Sequence, residues 1–245
     1  MKEFKADLHI HTVLSPCGSL EMSPRNIVQE ALKKKIDIIG ITDHNSTRQC
    51  KEVSREAIKA GITVYTGVEV TTKEEVHCLA FFETFDILDA FQQYLDKHLP
   101  DIKNNTDLFG YQVVVDETEN IVYEESRLLI SAISQSIDQI AAEVHRLNGI
   151  FIPAHVNRPK YSLISQLGFV PPDLKADAFE LTKHISIEDF LKKFSYLKGK
   201  TFIRNSDAHQ PDIIGESFTT LKMADTSFAE FTKALAGIEG REVIV

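Results

Sequence analysis

The sequence predicts an α/β fold organised around a mostly parallel sheet. Short β-rich runs alternate with helical patterns along most of the chain, which is the signature of strands joined by crossover helices. The run Ile36–Ile41 is apolar almost throughout, as expected of a strand buried on both faces. The length of 245 residues is one that α/β barrels commonly use as a single domain. The expected organisation is therefore one domain over residues 1–245, with an insertion at about residues 85–136.

Element by element, Phe4–Ile10 reads as the first strand. Pro24–Lys34 follows as a helix, with Ser23 as N-cap and Pro24 in the first helical position. Ile36–Ile41 is the second strand, and Ser46–Ala60 a helix closed by Gly61. Ile62–Thr66 and Val76–Phe82 are further strands. The stretch from Phe85 to Ser136 breaks the rhythm, with a helix, a polar segment around Lys103–Asp107 and a possible hairpin, Tyr111–Val115 with Ile121–Tyr123. Regular alternation resumes with helix Ile137–Leu147 and strand Ile150–Ala154. Strand Ala178–Thr182, helix Ile187–Tyr196, strand Thr201–Asn205, strand Ser217–Leu221 and helix Ser227–Ala236 complete it.

Bulk properties exclude several classes. No apolar run is long enough to span a bilayer, and the first residues lead straight into a strand pattern with no signal-peptide core. A cytoplasmic protein with no membrane partner is expected. Three cysteines, Cys17, Cys50 and Cys78, make an odd count without a Cys-x-x-Cys spacing, so a disulfide framework is not expected. The net charge of −9 argues against a general polyanion-binding surface, and no long nucleic acid is expected as a partner. A small phosphorylated substrate stays compatible with that charge, because bound divalent ions reverse the sign locally.

The residues that bear chemistry gather at strand ends. In Asp7-Leu8-His9-Ile10-His11, side chains two apart share a face, so Asp7, His9 and His11 project together. Two imidazoles so placed can grip a metal, with Asp7 holding a ring nitrogen from behind. The plain alternative is a pair of polar residues at a strand end. Thr42-Asp43-His44 follows the apolar second strand directly, at the carboxyl end where α/β folds place their chemistry. Asp43 is a candidate catalytic residue, with capping of the next helix as its structural alternative. Glu69 lies just past a strand and could bridge two cations or be a solvated loop carboxylate. His77 opens an apolar strand, either as a ligand or as a satisfied core residue. His155 ends another strand, and Asp207 and His209 follow the strand Thr201–Asn205. His98 and His145 fall inside helical patterns and read as structural, and His184 as an outsider. Arg158 and Arg204 are candidates to hold a phosphate, because a guanidinium fork suits phosphate oxygens. A surface charge and a buried salt bridge are their respective alternatives.

Taken in order, Asp7-Leu8-His9-Ile10-His11, Thr42-Asp43-His44, Glu69, His77, His155 and Ser206-Asp207-Ala208-His209 resemble the PHP (polymerase and histidinol phosphatase) superfamily. The resemblance implies a distorted (β/α)7 barrel with two or three divalent metal ions, Zn, Mn or Fe, at the carboxyl ends of its strands. It also implies metal-dependent hydrolysis of phosphate esters, on a small phosphorylated metabolite or nucleotide, by a metal-activated water. Carried over by position, the first metal takes His9, His11 and Asp207, with Glu69 bridging to a second held by His77 and His155. A third takes His44, His209 and a residue of the loop after the first strand. Where three-metal relatives place a histidine in that loop, this sequence has Cys17, either a softer donor or a bystander. Two other readings stay open: an amidohydrolase-type metal hydrolase acting on C–N or C–O bonds, and a non-catalytic metal-binding regulatory module.

Overall fold

The computed structural model describes residues 1–245. Strand β1 (Lys2–Ile10) starts exposed and ends with Ala6–Ile10 fully buried. Helix α1 (Pro24–Lys33) begins as expected, with the Ser23 hydroxyl accepting from the Asn26 amide. Strand β2 (Ile38–Ile41) is buried along its whole length. Helix α2 (Cys50–Ala60) ends at Gly61 in the left-handed conformation, φ 73°, but begins four residues later than Ser46. Tertiary bonds explain the delay. The Thr47 amide and hydroxyl both donate to Gln92 Oε1, and the Asn45 amide donates to the Glu69 carbonyl, so this segment is held out of the helix.

Strand β3 (Thr63–Thr71) runs well past the expected end at Thr66, so Glu69 sits inside a strand rather than in a loop. It is extended because β4 (His77–Phe82) folds back on it as an antiparallel partner, from Thr66↔Phe82 to Thr71↔His77. The short link Thr72–Val76 leaves no other choice, since a parallel pair needs a crossover of about a dozen residues or more. Next come α3 (Phe85–His98), the single turn α4 (Thr106–Phe109) and the hairpin β5 (Val113–Val115) with β6 (Ile121–Glu124). Then follow α5 (Ile137–Arg146), β7 (Ile150–Pro153), α6 (Leu163–Leu167), β8 (Phe179–Glu180), α7 (Ile187–Lys193) and β9 (Phe202–Ile203). Strand β10 (Thr219–Met223), helix α8 (Phe228–Ala236) and the unforeseen strand β11 (Glu242–Ile244) end the chain. No helix is long and apolar enough to cross a membrane.

The main sheet has the order β11-β10-β1-β2-β3-β4-β7. Only β1–β2 and β2–β3 within it are parallel, and the separate pair β8–β9 is the other parallel one, so the expectation of a mostly parallel sheet is corrected. Even so, the sheet curls into a distorted barrel of seven strands. The Val156 amide donates to the Glu180 carbonyl, joining β7 to β8. The His11 amide and the Ala208 carbonyl, with the Ala208 amide and the His9 carbonyl, join the end of β9 back to β1. Closure therefore rests on a few backbone bonds at one rim, with the Asp177 amide on the Phe151 carbonyl adding one farther from that rim.

Both faces of the sheet are packed. One carries 45 buried residues under α1, α2, α3 and α5, and the other 16, including Ala6, Leu8, Leu79, Phe81 and Ile152 against Phe231 and Leu235 of α8. Val113, Val114, Val115, Leu129 and Ile133 of the stretch between α3 and α5 belong to the larger cluster. That stretch also supports the rim: the Asn45 side-chain amide donates to the carbonyls of Leu129 and Ser131, and Gln49 bonds Val115 through both its oxygen and its nitrogen.

Candidate metal centre

The carboxyl ends of β1, β2, β7 and β9 and the amino end of the antiparallel β4 all open on one rim, with Glu69 of β3 at its middle. His9 and His11 are fully buried there. A register irregularity between β1 and β2 falls between Asp7 and Ile10, which re-aims the side chains at His9. Hydrogen bonding from behind fixes both rings. His9 Nδ1 lies 3.1 and 3.2 Å from the Glu180 oxygens, and a carboxylate only accepts, so that nitrogen carries the proton. The Ser15 hydroxyl donates to Asp43 Oδ1 at 2.7 Å and must accept from His11 Nδ1, 2.9 Å away. His209 Nδ1 donates to the Asp207 carbonyl at 2.9 Å. All three neutral rings are thereby left with an Nε2 lone pair as their open donor.

For His9 and His11 those nitrogens face carboxylates. His9 Nε2 and His11 Nε2 are 3.2 Å apart, and each is 3.4 Å from Asp207 Oδ1. Glu69, 1% exposed, has five imidazoles against its two oxygens: His9 at 3.3 Å, His11 at 3.4 Å, His44 at 3.0 Å, His77 at 3.0 Å and His155 at 3.1 Å. A carboxylate has about four lone-pair positions, so five hydrogen bonds are not available to it. The Nδ1 atoms of His44 and His155 are buried without a hydrogen-bond partner, His44 despite its closeness to Glu69. Donors around a cation with bonds of about 2.0–2.1 Å sit roughly 3.3 Å apart when tetrahedral. The separations here fit that spacing. Three groups could hold ions: His9, His11, Glu69 and Asp207; Glu69, His77 and His155; and Cys17, His44 and His209, whose donor atoms, together with a nitrogen of His11, lie within 4.8 Å of one another.

Electrostatics agrees with that reading. Although burial alone would lower it, Asp207 and Glu69 push His11 up to about 9. Burial raises Asp207, but His9 and His11 win and hold it far below the usual carboxylate range. Burial drives His44 down to about 3 and His209 down to about 4. Burial, and then the negative field of Glu69, pushes the Cys17 thiol up to about 12; a bound cation would reverse the second effect. His155 and Asp207 also adopt left-handed backbone conformations, φ 29° and 52°. Such strain in non-glycine residues concentrates at functional sites.

Several expected roles change. Asp7 does not back a histidine; its oxygens accept from the Ser206 and Gly215 amides and anchor the loop after β9. Glu180, which the sequence reading passed over, backs His9 instead, and Asn205 ties Glu180 to the Leu8 amide. An acid between Phe179 and Leu181 in a buried strand was the available signal. Asp43 neither caps α2 nor faces the cluster: it accepts from the Thr12 amide, the Thr12 hydroxyl and Ser15. It steadies His11 at one remove, so its catalytic assignment becomes one of positioning. The Arg204 guanidinium donates to the carbonyls of Thr182 and Ile185, so its fork is engaged by backbone and is neither free for phosphate nor in a salt bridge. Arg158, about half exposed, donates to Asp207 Oδ2 at 2.7 Å from the edge of the cluster. His98 and His145 bond Ser134 and Asp177 away from the rim.

An open cleft of about 520 Å³ adjoins these residues. His155, Arg158, Lys183, His184, Asn205 and Asp207 are among its walls.

Comparison with known proteins places this geometry. The sequence model of the PHP domain matches residues 7–167. The uncharacterised protein YqxK of Bacillus subtilis is 27% identical over 275 aligned positions, covering 100% of this chain and 65% of that protein. Among solved structures, the lesion-specific endonuclease Q of Pyrococcus furiosus superposes with a TM-score of 0.76 at 23% identity, over 100% of this chain and 58% of that one. A candidate metal-dependent phosphoesterase of Bifidobacterium adolescentis gives 0.60 at 19% identity, over 94% and 95%. The chain thus spans about two thirds or less of YqxK and endonuclease Q. Endonuclease Q has also been captured with a 27-mer duplex carrying an abasic lesion at its active site. That complex overturns the expectation that long nucleic acid is excluded. The net charge of −9 is a sum over the whole surface, whereas binding is decided by the local field of a cleft.

Proposed function

Because this chain belongs to the PHP-domain family, we propose that it is a metal-dependent hydrolase of phosphate esters, acting at the histidine–carboxylate rim. The observation that carries the proposal is the pair of imidazoles, His9 and His11, whose Nε2 atoms are turned by Glu180 and Ser15 toward Glu69 and Asp207. In the proposed arrangement His9, His11 and Asp207 would hold one divalent cation and His77 and His155 a second, with Glu69 available to both. Bound there, such cations supply an acidified water and neutralise charge building on phosphoryl oxygens. The chain itself supplies position. Glu180 and Ser15 keep His9 and His11 from rotating, and Asp43 and Asn205 hold those two in turn. Arg158 carries guanidinium N–H groups beyond the one spent on Asp207, and these can donate to phosphate oxygens in the cleft.

For the substrate, we propose a phosphodiester in a nucleic-acid strand beside the small phosphorylated metabolites the family resemblance suggests. The fold likeness to endonuclease Q and the openness of a cleft edged by Arg158, Lys183 and His184 support that reading. The test is turnover of metal-reconstituted protein on aryl phosphate monoesters, aryl phosphodiesters and an abasic oligonucleotide duplex, with amides and lactones alongside. Phosphoester cleavage that disappears with chelator and in His9→Ala is expected; cleavage surviving both, or amide turnover alone, would overturn the proposal. Arg158→Ala should raise KM about tenfold or more while metal content stays intact.

A further inference from the structure

We propose that Cys17 is a metal-ligating thiolate, completing with His44 and His209 a third, sulfur-containing site that takes zinc in preference to manganese or magnesium. The inference rests on the metal-centre reading above and concerns a residue that departs from the histidine of related three-metal sites.

Three observations carry it. The Cys17 sulfur lies within 4.8 Å of donor nitrogens of His11, His44 and His209. His11 is already committed, with Nδ1 on Ser15 and Nε2 facing His9, so His44 and His209 are the partners with capacity to spare. His44 is 5% exposed, and its Nδ1, 3.0 Å from Glu69, makes no hydrogen bond, so the ring is not tied down by a proton donor or acceptor on that side.

The loop that delivers the sulfur is tightly built. The Ser15 amide donates to Thr12 O, the Gly18 amide to Ser15 O, and the Ser19 amide crosses to the His209 carbonyl at 2.9 Å. A Cβ on Gly18 would sit 2.3 Å from the Thr12 carbonyl oxygen, so only glycine lets the chain turn there and keep Cys17 against the histidines. Cys50 and Cys78 lie buried, and the Cys50 thiol bonds the Gly67 carbonyl as a packing residue does. Cys17 alone of the three is exposed. A thiolate beside two imidazoles suits zinc and other soft or borderline ions, whereas magnesium and manganese favour oxygen.

Cobalt(II) loading of the full chain tests this directly, with metal content measured on the same samples. A sulfur-to-cobalt charge-transfer band is expected in the near ultraviolet. It should vanish in Cys17→Ser together with one equivalent of bound metal. Cys17→His should keep the equivalent and lack the band. In parallel, an aromatic disulfide reagent should react with one thiol of the chelated native protein and with none of the zinc-loaded protein. Cobalt spectra showing only nitrogen and oxygen ligation, or equal thiol reactivity with and without zinc, would overturn the role of Cys17 and leave the metal centre standing. Failure of the unaltered protein to take up any cobalt would overturn both.

Discussion

Glu69 in β3 and Glu125 just after β6 are both almost entirely buried, yet they are neutralised in opposite ways. Glu125 accepts from the Arg127 amide and guanidinium and from the Tyr123 hydroxyl, and Arg127 reaches on to Asp96, which also pairs with Arg48. Arginine brings a permanent charge and donors only, so the charge of Glu125 is answered within the protein. Glu69 meets five histidines, which near neutral pH bring lone pairs as readily as charge. Such a set is stable without an ion only if protons fill it. A carboxylate ringed by arginine is finished, while one ringed by histidine leaves room for an exchangeable cation.

The largest expected effect breaks the comparison at Glu69. Glu69→Gln keeps the side-chain shape and removes the charge shared by both proposed ion sites, so turnover should drop by at least about 10²–10³-fold. Bound metal should fall with it, as elemental analysis of the folded variant would read. Full activity in that variant would dissolve the distinction drawn here. Next in size is stabilisation by the ion. Metal at about 100 times its Kd should add about 2.7 kcal/mol, roughly 5–10 °C in Tm for a chain of this length, and add nothing to Glu69→Gln. Arg127→Ala is the reciprocal test: a loss of about 1–2 kcal/mol, modest because its side chain is 20% exposed, with metal content and kcat unchanged. Metal loss there would mean that the two clusters are not independent.

How much of this was legible in the sequence depended on whether a signal was local. His9, His11, His44, His77, His155, Asp207 and His209 could be picked out because each lies at or beside a strand end, a position that local pattern reveals. The caps Ser23 and Gly61 were legible for the same reason. What escaped was set by tertiary bonds. The reach of β3 through Glu69 depends on β4 folding back, although the brevity of Thr72–Val76 could have announced that hairpin. The late start of α2 depends on Gln92, which lies 45 residues beyond Thr47. Glu180 backing His9 and Asp7 anchoring the amides of Ser206 and Gly215 are pairings across 171 to 208 residues, which no window along the chain can see.

The smallest expected effect is also the one that most finely separates the two carboxylate groups, because it needs no substitution. In metal-free protein, Asp207 and Glu69 raise His11 to about 9 against burial, from the 6.5 of an unfolded chain. A raised histidine binds its proton more tightly when folded, so its contribution to stability is fully present below about pH 6.5 and fades as pH climbs through about 9. Asp207 and Glu69, whose carboxyls are held low, stay ionised across that window and add no slope. Arg127, held above its ordinary value mainly by its bonds to Glu125, keeps its proton throughout and adds none either. Chelated protein should therefore lose denaturant resistance steadily between about pH 6.5 and pH 9. Metal-loaded protein should hold steady or gain over the same range, because the ion competes with protons for the histidines and binds better as they leave. A flat profile for the chelated protein would mean that the ring around Glu69 is not held together by protons, and that the histidine cluster is as self-contained as the arginine one.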